Sequence, residues 1–159
     1  MRKFLKISKE QFKKDFGEDN FHIIYASLKK PIRGTNLSAG YDFFSPKKYI
    51  IGPGENLKIP TGMRVKMQED EWLGIYIRSS IGFKYNVRLK NSVGVIDADY
   101  VNAQNEGHIW IALYNHGDAP LVIDAGEAFA QGIFQRYLLV EEDEPKEIHR
   151  NGGIGSTHQ

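Results

Sequence analysis

The chain has no cysteine among its 159 residues. That excludes a thiol nucleophile, a zinc–thiolate centre and a disulfide framework, and it suits a reducing compartment. It also lacks a charge excess of either sign, since 21 Lys and Arg face 20 Asp and Glu for a formal net charge of +1. No general field draws such a protein to polymeric nucleic acid or to an anionic membrane, so a polyanionic ligand needs locally placed positive groups. No apolar run approaches the ~20 residues of a membrane-spanning helix, and the start Met-Arg-Lys-Phe-Leu-Lys has no signal-peptide core. The expectation is a cytoplasmic protein.

A chain of this length buries one core without disulfide or metal staples. Residues 8–16 predict a short amphipathic helix, with Ser8 and Gln11 at capping-box spacing and Phe12 and Phe16 at i, i+4. From Ile23 onward the pattern is one of short β-type runs: Ile50-Ile51, 57–59, 63–67, 72–77, 109–114, 121–123 and 133–140. Turn residues such as Gly52-Pro53-Gly54 and Pro60-Thr61-Gly62 separate them. Many short strands with hardly any helix predict an all-β fold, a sandwich, barrel or jelly roll. The expected organisation is one domain over residues 1–148 and a flexible arm over 149–159, whose glycines cannot supply a core.

The chemistry concentrates in five polar, glycine-marked segments. They are Ala39-Gly40-Tyr41-Asp42, Arg78-Ser79-Ser80-Ile81-Gly82-Phe83-Lys84, Asn91 to Tyr100 with its Val-Gly-Val-Ile-Asp-Ala-Asp-Tyr run, Gly126-Glu127-Ala128-Phe129-Ala130-Gln131, and Arg150-Asn151-Gly152-Gly153-Ile154-Gly155-Ser156-Thr157. The third puts Asp97 at the end of an apolar β run, where a general base is held in fixed geometry. Taken alone, an Asp-x-Asp pair after a strand is more often a turn element, because Asp side chains bond their own backbone there. The order of all five segments speaks against that reading.

In that order, over residues 39–157, they resemble the motifs of the trimeric dUTP diphosphatase (dUTPase) family. The resemblance implies a jelly-roll β-sandwich, a homotrimer with active sites at subunit contacts, and hydrolysis of dUTP to dUMP and diphosphate. It assigns Asp97 to orient and deprotonate the attacking water, with Asp99 more structural. It gives Asn91 to the pyrimidine edge, backbone groups around Gly94 and Val95 to uracil, and the Tyr100 ring to the face of the sugar that carries no 2′-hydroxyl. Ile154 covers the base. Ser79 donates near the bridging oxygen of the leaving diphosphate, Arg78, Ser80 and Gln131 serve the phosphates, and Arg150, Gly155, Ser156 and Thr157 close over them. Asp42 binds waters of a Mg²⁺ ion that arrives on the triphosphate, in keeping with the preference of Mg²⁺ for retaining water.

The chain departs from the family pattern in places. Ala128 stands where Arg is usual, Asn86 where Gly is usual, and Val101 to Gly107 lengthens the third motif. In the tail Ile154 replaces an aromatic lid, a role open to Trp110 or Phe83, and Arg150 lies one residue nearer the Gly-Gly pair. Two alternatives stand beside the main reading: a dCTP deaminase, alone or bifunctional, and a phage-type regulatory protein of the same fold acting through a protein partner, for which the 101–107 loop is the place to look.

Overall fold

The computed structural model describes residues 1–145. Among them twelve strands and three α-helices follow one another: β1 (Lys3–Lys6), α1 (Lys9–Phe16), α2 (Phe21–Ser27), β2 (Ile32–Arg33), β3 (Tyr41–Phe44), β4 (Tyr49–Ile51), β5 (Asn56–Pro60), β6 (Met63–Lys66), β7 (Glu71–Ile77), α3 (Ser79–Tyr85), β8 (Val87–Leu89), β9 (Gly94–Asp97), β10 (Trp110–Asn115), β11 (Leu121–Ile123) and β12 (Ala128–Arg136). A 3-10 turn, Ala98–Asn102, follows β9. The strands form a five-stranded sheet β2-β3-β12-β7-β9, a three-stranded sheet β5-β10-β8, and the pairs β1-β6 and β11-β4. All these pairings are antiparallel. This is the all-β, jelly-roll-like class that the sequence predicts, with no closed barrel among the described residues.

One core joins the sheets, from Phe43 on β3 through Ile59, Leu73, Ile111 and Leu113 to Phe129. β10 shows the logic: Ile111, Leu113 and Asn115 point inward while Trp110, Ala112 and Tyr114 are half-buried. Asn115 is polar yet fully enclosed, and its amide meets the carbonyls of Ile51 and Ala119, each at 2.9 Å. Its hydrogen bonds make that burial tolerable.

The first helix forms where its cap predicts. Ser8 Oγ accepts from the Gln11 amide at 3.1 Å, a contact whose loss typically costs ~1 kcal/mol. Phe12 is fully buried and stacks on Phe16 with ring centroids 4.9 Å apart. Gln11 does not complete the capping box, because its side chain donates to Asp15 at 2.8 Å. Glu106, from the far side of the chain, takes the Ser8 amide instead at 2.9 Å.

Three elements correct the sequence reading. Residues 21–27 are helical rather than the start of the β pattern, since Phe21, Ile24, Tyr25 and Leu28 share one face against the core. The β-branched pair Ile23-Ile24 disguises that period. Residues 79–85 form α3, closed by Asn86 in the left-handed region at φ 53°. The helix end therefore needs the conformation that Gly or Asn adopts most readily, which accounts for Asn86 in a glycine position. Finally, the run 133–140 ends as a strand at Arg136, where β7 runs out: Arg136 pairs with Glu71, the first residue of β7. Leu138 beyond it is 96% exposed.

Candidate active site

Asp42, Arg78 and Gln131 meet at one end of the five-stranded sheet. Gln131 of β12 lies between Asp42 of β3 and Tyr76 of β7 in register. Its amide nitrogen reaches the Ile77 carbonyl at 3.4 Å. Arg78 leaves the end of β7 and turns back, with Nε 3.3 Å from Asp42 Oδ1 and Nη1 donating to the Ala128 carbonyl at 3.2 Å. The position that usually carries Arg thus offers its backbone to the neighbouring Arg78. Ser79 and Ser80 follow on the first turn of α3, both exposed.

Gly40 belongs to this group, although only Asp42 of its motif is singled out by sequence. A Cβ at Gly40 would press on Gln131 Oε1 and lie 3.1 Å from Gln131 Cδ and 3.2 Å from Gln131 Cβ. Absence of a side chain at 40 therefore sets where the Gln131 amide rests. Such close approach is the recurrent reason for glycine beside a polar site.

The second group sits elsewhere. β9 pairs with β7 so that Asp97 is opposite Trp72 and Gly94 opposite Ile75. Asp97 and Asp99 border a cleft of about 750 Å³ whose walls include Lys66, Met67, Val101 and Tyr137. A Cβ on Gly94 would approach Ile75 Cβ to 3.0 Å, so this glycine is needed for close packing of β9 on β7. Val95 is 59% exposed. Asn91 lies in the exposed turn before β9, its carbonyl accepting from the Val93 amide at 2.7 Å. Tyr100, on the 3-10 turn, has its hydroxyl engaged by the His108 carbonyl and Asn105 Nδ2, each at 2.9 Å.

The two groups do not come together within one chain. Asp97 is anchored opposite Trp72 near the start of β7, whereas Arg78 follows its last residue, Ile77. Six positions separate Trp72 from Arg78, or about 20 Å at ~3.3 Å per extended residue. The Asp42–Arg78–Gln131 group and the Asp97 carboxylate thus lie toward opposite ends of one strand. Lys84 is exposed, with Nζ 5.2 Å from the Tyr85 ring centre. Phe83 is 93% exposed, and Trp110 packs beside His108 with ring centres 5.5 Å apart. Ile154, Arg150, Gly155, Ser156 and Thr157 lie outside the described residues.

The class that the fold defines is an all-β, jelly-roll-like protein, with its polar groups parted in this way. The chain belongs to the dUTPase family, whose sequence model matches residues 26–158. The deoxyuridine 5′-triphosphate nucleotidohydrolase of Lactococcus lactis is 44% identical over 134 residues, covering 83% of this chain and 89% of that protein. The crystal structure of the dUTPase from Streptococcus mutans superposes with a TM-score of 0.68 at 37% identity, over 87% of this chain and 98% of that one. A mutant dUTPase from phage phi11 of S. aureus, described as coordinating a structural Mg(II) ion, shares the fold at 19% identity, with a TM-score of 0.66 over 93% and 98% of the two chains.

Proposed function

We propose that this chain, a dUTP diphosphatase, hydrolyses dUTP to dUMP and diphosphate with Asp97 as the base for the attacking water, in a site assembled between subunits of a homotrimer. The observation that carries the shared site is the separation along β7: Asp97 stands beside Trp72 while Arg78 and Ser79 follow the other end of the strand. A nucleotide that needs both groups at once must take them from different copies.

Water attack on the α-phosphorus needs a base within hydrogen-bond reach and positive or hydrogen-donating groups fixed before charge develops on the leaving diphosphate. Asp97 supplies the first from a strand end. Ser79, Ser80, Arg78 and Gln131 supply the second, with Arg150, Gly155, Ser156 and Thr157 of the arm 149–159 closing over the phosphates. Asn91, Gly94 and Val95 read uracil, Tyr100 reads the sugar, and Ile154 covers the base. The domain itself spans 1–148.

Mg²⁺ fits this site as an ion carried in by substrate. Among the described residues no group of three His, Cys, Asp or Glu side chains gathers as a metal cage, and Asp42 offers one carboxylate with one oxygen already near Arg78. Asp42 would hold water molecules of the ion. When bound, the ion would supply neutralisation of the triphosphate charge.

Neither alternative reading is favoured: the Lactococcus lactis relative bears the name of a dUTP hydrolase, not of a deaminase or a regulator. Among the described residues no helix is long and apolar enough to cross a membrane. The test is release of diphosphate and of ammonia from dUTP, dCTP, dTTP and UTP, each with and without Mg²⁺. Diphosphate from dUTP alone is expected, and ammonia from dCTP would overturn the assignment.

A further inference from the structure

The chain from Tyr100 to His108 closes on itself. Tyr100 Oη donates to the His108 carbonyl at 2.9 Å and accepts from Asn105 Nδ2 at 2.9 Å. Asn105 Oδ1 in turn accepts from the Gly107 amide at 3.1 Å. Gly107 has φ +72°, and a Cβ there would lie 2.6 Å from the Tyr100 carbonyl oxygen and 2.7 Å from Val101 Cα. The insertion that lengthens the third motif is thus wrapped around the Tyr100 phenol.

Its outer side is fastened to a part of the chain that precedes the family match, which begins at residue 26. Glu106 accepts from the Ser8 amide at 2.9 Å and from the Ser8 hydroxyl at 2.5 Å, with Arg64 Nη1 at 3.4 Å. His108, fully buried, meets Asp15 of α1 at 2.6 Å. Both ends of α1 therefore brace the loop that holds the tyrosine.

A ring needs no hydroxyl to exclude a 2′-hydroxyl by bulk, but it must stay where the clash occurs. Two hydrogen bonds at the far end of the ring fix that position, as supporting contacts do for any side chain that must be placed to a fraction of an ångström. We infer that the 101–108 loop is a sugar-specificity device, in which Asn105 is a positioning residue for Tyr100 and the N-terminal helix is its brace. The inference rests on the reading of Tyr100 as the sugar contact.

The experiment measures kcat/KM for dUTP and UTP in the full-length enzyme and in Tyr100→Phe, Asn105→Ala, their double variant and Tyr100→Ala. Loss of folded enzyme lowers both substrates equally, so the dUTP/UTP ratio isolates positioning from stability. Asn105→Ala should lower the ratio on the order of fivefold, the effect of one hydrogen bond, and Tyr100→Phe, which removes both bonds of the hydroxyl, by at least as much. The double variant should fall no further than Tyr100→Phe, because Asn105 acts through that hydroxyl. Should Asn105→Ala fail to fold, Tyr100→Phe decides alone. If Tyr100→Ala collapses the ratio while Tyr100→Phe leaves it in place, or if the two single effects add, the positioning role is overturned and the sugar contact stands. If Tyr100→Ala also leaves the ratio in place, the sugar contact falls and the inference with it.

Discussion

Gly62 donates its amide hydrogen to His108 Nε2 at 2.9 Å in the buried core. That nitrogen must be unprotonated, so the ring hydrogen sits on Nδ1 and points at Asp15. Burial pushes the His108 pKa below its usual 6.5, against the opposing pull of Asp15 and Glu106.

The sign of the resulting pH dependence follows. Well above pH 6.5 the ring is neutral folded and unfolded, and the contribution is fully present. As pH falls from 6.5 toward the lowered folded value, the unfolded chain takes a proton that the folded chain refuses, and stability is lost. Melting temperature should therefore drop as pH falls below about 6.5, and His108→Gln should flatten that part of the profile. An unaltered slope in the variant would assign the titration to another group.

Asp97→Asn should remove turnover while dUTP still binds. The amide can hold a water but cannot take its proton, so kcat should fall by roughly 10²–10⁴-fold. Rapid-quench turnover and equilibrium binding of dUTP in the absence of turnover separate the two effects. An unchanged kcat removes Asp97 from the mechanism.

Gly40→Ala should act through Gln131. The new methyl runs into the amide end of that side chain, so the amide must turn away. Loss of one hydrogen bond to a charged phosphate predicts a fall in kcat/KM of roughly tenfold or more. The melting temperature should shift little, because a flexible side-chain end can give way. Combined with Gln131→Ala, the glycine change should have almost no further effect on kinetics.

Deleting residues 149–159 should leave a folded protein with little activity. The segment has one large apolar residue, Ile154, so little buried area goes with it. Mixed with Asp97→Asn under conditions of subunit exchange, this inactive truncation should recover activity, since each site would draw base and arm from different chains. Absence of recovery, with exchange confirmed by native mass spectrometry, would place Asp97 and the arm of each site on the same subunit.

The family was legible in residue order, through the Ser79 and Gln131 motifs and the strand that ends in Asp97, as were the Ser8 cap and the Phe12–Phe16 face of α1. These are local matters, set by short-range spacing and backbone preference. The loop 101–107 was not legible. As sequence it is only a polar lengthening of a motif, and its hold on Tyr100 depends on Gly107 reaching back to the Tyr100 carbonyl. Nor could the sequence show that Glu106, 98 residues away, completes the cap at Ser8, or that the strand after Ile133 stops at Arg136 because its partner does. Hydrogen-bond partners distant in sequence are chosen by tertiary packing, which alone brings Gly40 against Gln131 and sets Asp97 apart from Arg78 along β7.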